Sequence, residues 1–169
     1  MNEIELKFLD IDVDEIKFKI ESLGAILKYD IEIESFSFLA DDFHGSDSNK
    51  KYLRVRKIGS DVVLTYKDPA TDSKMTSRNE IEIKVDDYEK AILLIEKLGF
   101  TKGEVFRKHR IHYEFDTVHF ELDTLENIPT YLEIETQTED EMKNICEKLG
   151  LDMTMGKKGT IVEILPEKF

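Results

Sequence analysis

The sequence predicts an α+β fold built around a largely antiparallel sheet, and three observations carry that prediction. Nine runs alternate apolar and charged residues with period two, the mark of half-buried strands. Only three stretches show the apolar spacing of an amphipathic helix. One unit, a Glu-x-Glu strand leading through a helix to Leu-Gly, occurs three times: Glu3-Ile-Glu5 to Leu23-Gly24, Glu80-Ile-Glu82 to Leu98-Gly99, and Glu133-Ile-Glu135 to Leu149-Gly150. Many short strands with few helices suit such a sheet, with closure into a barrel as one option.

The first strand is expected at 4–9. The helix after it, 13–23, puts Ile16, Ile20 and Leu23 on one face behind an Asp12 N-cap. Strands follow at 28–38, 51–57 and 61–67, the last two joined by a turn at Ile58-Gly59-Ser60-Asp61. A strand at 78–85 leads through Asp86, read as an N-cap, to a helix at 88–98 whose Ile92, Ile95 and Leu98 share a face. Strands at 105–115 and 117–124 meet at Phe115-Asp116-Thr117, and a strand at 131–136 feeds a helix at 139–149. That helix has Thr138 as its N-cap and Met142, Ile145, Cys146 and Leu149 on its apolar side. A last strand is expected at 159–165. Residues 41–49 and 68–77, the second containing Pro69, are polar loops and the expected mobile segments. No linker-like composition divides the chain, so residues 1–169 read as a single domain.

Composition narrows the function. Asp and Glu number 37 against 24 Lys and Arg, a formal net charge of −13, which speaks against nucleic acid and anionic membranes as partners. Cys146 is the sole cysteine, so an intrachain disulfide and a cysteine zinc site are excluded. Charges already present in residues 1–7 do not resemble a secretory leader, and no run approaches a membrane span. A cytoplasmic protein is the expectation.

Side chains at i, i+2 and i+4 of a strand share a face. Glu3, Glu5 and Lys7 therefore point together, as do Arg54 with Arg56, Glu80 with Glu82 and Lys84, Lys108 with Arg110, Glu121 with Asp123, and Glu133 with Glu135. Taken singly, each is the ordinary solvated face of an antiparallel sheet. Taken together, they are sorted: cations gather at Arg54, Arg56, Lys67, Lys108 and Arg110, acids on other strands. The helices need an apolar surface to cover, and the outer face of a curled sheet supplies one, which turns the charges inward. A cavity lined by both signs is costly unless a ligand satisfies them. A polyanion with divalent cations would do so, with Arg and Lys on phosphoryl oxygens and carboxylates on Mg²⁺ or Mn²⁺.

Glu3-x-Glu5-x-Lys7 resembles the ExExK signature of the CYTH superfamily, the triphosphate tunnel metalloenzymes. The resemblance runs on, in family order, through Tyr52-Leu-Arg54-Val-Arg56, Leu64-Thr-Tyr-Lys67, Arg78-Asn-Glu80-Ile-Glu82, Lys108-His-Arg110, Leu122-Asp123 and Tyr131-Leu-Glu133-Ile-Glu135. It implies a closed eight-stranded antiparallel β-barrel, a tunnel with helices packed outside. It implies phosphate binding by Lys7, Arg54, Arg56, Lys67, Lys108 and Arg110, and metal binding by Glu3, Glu5, Asp123, Glu133 and Glu135. Catalysis would centre on Glu3, Glu5, Lys7, Glu133 and Glu135. Glu80 and Glu82 match the family's central acidic strand, with Lys84 a weaker match.

Within the superfamily the chain is most similar to class IV adenylate cyclases, which convert ATP to cyclic AMP and pyrophosphate. Sister enzymes hydrolyse thiamine triphosphate or inorganic tripolyphosphate. A protein that binds a nucleotide or polyphosphate without turnover, and a module with merely solvated charges, are the readings from other classes. Tunnel-rim strands are consistent with a homodimer. One departure stands out: relatives often carry Ser-Tyr where this chain has Thr160-Ile161. Lys157 and Lys158, just before it, read as solvated loop lysines.

His44, His109, His112 and His119 lack a triad-like partner pattern and are set aside, with His109 expected to face away from Lys108 and Arg110. His44 sits among Asp41, Asp42 and Asp47, an adventitious metal site at most. Phe36, Phe38, Phe106, Phe115 and Phe120 read as packing aromatics, and Cys146 as a buried small hydrophobe. No glycine-rich phosphate loop occurs.

Overall fold

The alternating runs resolve into eight strands in the computed structural model: β1 (Asn2–Phe8), β2 (Ile26–Leu39), β3 (Tyr52–Ile58), β4 (Asp61–Lys67), β5 (Thr76–Val85), β6 (Thr101–Phe115), β7 (Val118–Leu125) and β8 (Ile128–Thr136). Helices α1 (Val13–Ser22), α2 (Tyr88–Lys97) and α3 (Glu139–Leu149) fall where the apolar spacing put them, and a short α4 spans Ile161–Ile164. The structure describes residues 2–44, 47–70 and 76–169, except the side chains of residues 2, 3, 76, 77 and 104. The loop expectations at 41–49 and 68–77 lie partly outside the described residues.

All strand pairs are antiparallel, in the order β1-β5-β4-β3-β2-β6-β7-β8, with β1 pairing to β5 through Glu3↔Arg78 and to β8 through Lys7↔Glu133. The α+β architecture is thus a curled antiparallel sheet of eight strands with helices on its convex side. The hairpin turns fall at Gly59 (φ +60°), Asp116 (φ +51°) and Asn127 (φ +63°), positions that need the left-handed region. Asp is among the side chains that tolerate it at Asp116.

Ile4, Leu6 and Phe8 of β1 join Phe120, Leu122, Leu132 and Ile134 beneath Ile16 and Ile20 of α1 and Met142, Ile145, Cys146 and Leu149 of α3. A second cluster seats Ile92 and Ile95 of α2 on Phe38, Val55 and Val62. Each such buried side chain contributes about 1.5–3 kcal/mol. The helices thus consume the outer apolar face, and the opposite, charged face turns inward.

Three expectations are corrected. The 159–165 strand is instead α4, because Thr160 and Glu163 form a capping box. The N-cap of α2 is Asp87, not Asp86: the Asp87 carboxylate accepts from the Lys90 amide at 2.9 Å. Leu98 does not join the apolar face of α2; the helix has ended at Lys97, and Leu98 stays 70% exposed. Strands β2 and β6 also reach farther than their alternation, pairing from Ile26↔Glu114 to Leu39↔Thr101. Among the described residues, no helix is long and apolar enough to cross a membrane.

Candidate active site

Inside the curled sheet lies a cavity of about 370 Å³. Strand register decides what faces it. Antiparallel pairing sets Arg56 opposite Val63, Thr65 opposite Glu82, Lys67 opposite Glu80, Arg110 opposite Asp123, and Glu121 opposite Glu133, so inward positions on neighbouring strands meet side by side.

Eleven of the residues singled out from the sequence line this one cavity: Glu5, Lys7, Arg54, Arg56, Lys67, Glu80, Glu82, Lys108, Arg110, Glu133 and Glu135. Asp123 lies immediately behind, fully buried, with both oxygens engaged. Arg110 grips it through Nε to Oδ1 and Nη2 to Oδ2, each at 2.6 Å, and Lys108 donates to Oδ2 at 2.6 Å. Lys84 is apart from the group; its side chain is 74% exposed and pairs with Asp61 at 2.7 Å. Glu3 takes its place in β1 opposite Arg78, but its side chain lies outside the described residues.

The walls form an ion-pair lattice. Lys7 reaches Glu5 at 3.0 Å and Glu133 at 3.3 Å, Lys67 reaches Glu80 at 2.6 Å, and Arg56 reaches Glu82 at 2.6 Å. Arg110 also contacts Glu121. The carboxyls respond differently to this crowding. Burial opposes the charge on Glu5, but Lys7 and Lys67 outweigh it and hold the group at about 2. Burial pushes Glu133 the other way, above the usual carboxylate range, and the nearby charges of Glu5 and Glu121 add to the rise against the pull of Lys7. Burial and neighbouring Arg110 lower Lys108.

Two sets of unspent valences show what would complete the lattice. Arg54, Arg56 and Arg78 each bury an Nε–H that finds no acceptor among the described residues, and Glu121 buries an Oε2 that finds no donor. Unspent donors call for an anion, and the unspent carboxylate oxygen calls for a cation. Glu5, Glu133 and Glu135, and likewise Glu121, Asp123 and Glu133, bring ligand oxygens within 4.8 Å of one another. These all-oxygen sets suit a hard divalent ion.

Several lining residues were not singled out from the sequence as site residues. Arg78 and Glu121 point inward, as do Tyr29, Tyr52, Tyr131, His112 and His119. The period-two rule would have found some of them: Arg78 is two before Glu80, and Tyr131 two before Glu133. Phe106 is not a core aromatic alone, because it lines the cavity beside Leu125 and Ile161 in one apolar cluster. His109 does face away and pairs with Asp30 at 2.7 Å. His44 belongs to none of the ligand groupings found among the described residues, and Cys146 is buried.

The comparisons agree with this geometry. A model of the CYTH domain matches residues 1–158. A Methanocaldococcus jannaschii protein named as a candidate adenylate cyclase is 31% identical over 142 residues, which is 83% of this chain and 79% of the relative. A Pyrococcus horikoshii protein of solved structure is 33% identical, with a TM-score of 0.78 over 95% of this chain and 98% of its own. The fold is also shared, at 17% identity and a TM-score of 0.65, with a candidate adenylyl cyclase from Hippeastrum described as having a dominant triphosphatase activity; that match covers 99% of this chain and 95% of the other. With most of its length matched by the domain model, and with a relative above 30% identity, the chain belongs to the CYTH family.

Proposed function

We propose that residues 1–169 act as one domain, a closed tunnel that binds a triphosphate with Mg²⁺ or Mn²⁺ and converts ATP to cyclic AMP and pyrophosphate. The observation that carries this reading is the cavity lined by seven cations, Lys7, Arg54, Arg56, Lys67, Arg78, Lys108 and Arg110, with three of their buried Nε–H groups unspent. Phosphoryl oxygens are the acceptors that such a set fits.

Glu5, Glu133 and Glu135, with Glu121 and Asp123 beside them, are the residues to hold the metal, and Glu3 is assigned with them from the ExExK motif alone. Bound there, a divalent ion would neutralise phosphate charge and ease deprotonation of the ribose 3′-hydroxyl. The protein's own part is positional and electrostatic. Its cations align the chain so that the 3′-oxygen attacks the α-phosphorus while the α–β bridging bond breaks, and they stabilise the charge that builds on the departing pyrophosphate. Phe106, Leu125 and Ile161 give one part of the cavity an apolar lining suited to an uncharged moiety, which favours an organic triphosphate over tripolyphosphate.

The second reading is hydrolysis of thiamine triphosphate or tripolyphosphate in the same cavity. The Hippeastrum relative supports it, since its activity is housed in the same fold. A binding protein without turnover is the third.

Chromatographic product analysis after incubation with ATP, thiamine triphosphate or tripolyphosphate, each with Mg²⁺ and with Mn²⁺, separates these readings. Cyclic AMP with pyrophosphate from ATP is the expected result. Orthophosphate without a cyclic product would replace it with a triphosphatase, and no product from any substrate would leave a binder. Glu133→Gln should lower turnover about a hundredfold or more, since it removes a carboxylate common to both oxygen sets. Equal rates in variant and wild type would remove Glu133 from the metal assignment.

A further inference from the structure

The hairpin of β6 and β7 carries a His-x-Glu on each arm: His112-Tyr-Glu114 and His119-Phe-Glu121. Register places Glu114 opposite His119 and His112 opposite Glu121, so the four side chains form a two-by-two patch on one face. None of the oxygen-only roles proposed above uses the two imidazoles.

Their geometry is specific. His112 Nε2 and His119 Nδ1 stand 3.4 Å apart, and Glu114 Oε1 lies 3.6 Å from the same His112 Nε2. Two nitrogens bound about 2.0–2.1 Å from one tetrahedral ion stand about 3.3–3.4 Å apart. On the other side of the ring, His112 Nδ1 is buried 3.3 Å from Glu121 Oε1, within ion-pair distance but with no hydrogen bond made. Tyr29 stacks on the ring at 4.8 Å with planes 9° apart, which fixes its orientation. Lys28 pairs with Glu114, but through Oε2, leaving Oε1 directed at the imidazole. The partly exposed Lys28 pair is a weak competitor.

We propose that His112, Glu114 and His119 form a second metal site at the histidine-lined end of the cavity, selective for a zinc-class transition ion. The donor types differ from the all-oxygen carboxylate sets: imidazole nitrogen favours Zn²⁺ over Mg²⁺. Three protein ligands leave a fourth position open. The site rests on this hairpin alone and stands whether or not the tunnel turns over a triphosphate.

The test is a calorimetric Zn²⁺ titration of the intact protein in excess Mg²⁺, which competes for the carboxylate sets. Wild type is expected to bind one Zn²⁺ per chain that Mg²⁺ does not displace. His119→Ala and Glu114→Gln should each weaken that affinity about tenfold or more. Co²⁺ in place of Zn²⁺ should give the visible absorption of a tetrahedral site, lost in His119→Ala. Circular dichroism checks folding, and the partly exposed Glu114 decides if His119→Ala unfolds. Zn²⁺ binding that is absent, unchanged in both folded variants, or abolished by Mg²⁺ together with Glu5→Gln overturns the proposal.

Discussion

Arg54 and Arg110 line the same cavity, yet they are held in opposite ways. Arg110 is wrapped by Asp123 in a two-pronged contact and also meets Glu121, all of it buried. Arg54 has its nearest carboxylate, Glu80, at 4.0 Å, leans on the Tyr52 ring at 5.4 Å and keeps an unspent Nε–H. Removing Arg110 takes the guanidinium from buried Glu121 and leaves buried Asp123 with Lys108 as its one cation among the described residues, so Arg110→Ala should cost about 3–5 kcal/mol in urea unfolding. Arg54→Ala should cost no more than about 1–2 kcal/mol, yet weaken triphosphate binding about tenfold or more, the worth of one charge-assisted hydrogen bond. If Arg54→Ala binds triphosphate as wild type does, Arg54 is a structural residue. Cys146 offers a separate check at this scale. Burial pushes its thiol up to about 11, so alkylation near neutral pH should track global unfolding; fast labelling of the native protein would contradict its burial under α3.

At the scale of elements, the strands were legible because period two is a local property, and each charged face could be read without knowing its neighbours. What was not legible was adjacency across strands. That Lys7 meets Glu133, or that both oxygens of Asp123 go to Arg110 and Lys108, follows from register between distant segments. The misread element shows two local signals in conflict. Residues 159–165 are rich in branched apolar side chains, yet Thr160 and Glu163 have capping-box spacing, and here the box prevails. A long-range contact reinforces it: Glu163 Oε1 accepts from the Ser48 amide at 2.9 Å and its hydroxyl at 2.8 Å, while Oε2 accepts from the Thr160 amide at 2.7 Å. One carboxylate thus ties the 47–50 turn to α4, whose Ile161 and Val162 line the cavity. Glu163→Ala should cost about 1–2 kcal/mol and speed hydrogen exchange at the Ser48 and Thr160 amides; unchanged protection at both would show that packing alone holds α4.

The whole molecule is acidic outside and ionically matched within. Its formal charge is −13, whereas among the described residues the cavity lining sets seven cations against Glu5, Glu80, Glu82, Glu121, Glu133 and Glu135. A bare triphosphate therefore meets a repelling exterior and an interior whose cations are already largely paired to carboxylates. Displacing those carboxylates requires another cation to take them over, so the proposed reading predicts that binding of the anion and of a divalent ion is mutually dependent. Thermal unfolding reads that coupling directly. At a hundred times its dissociation constant a ligand stabilises the folded state by about 2.7 kcal/mol, or about 5–10 °C for a chain of this size. Tripolyphosphate with Mg²⁺ should produce a shift of that order, and either component alone much less. Glu133→Gln should retain the small shifts and lose the joint one. A charge lattice that serves only to build the sheet predicts no shift from any combination. Equal shifts with and without Mg²⁺ would mean that the cations bind the anion without the carboxylates being released to a metal.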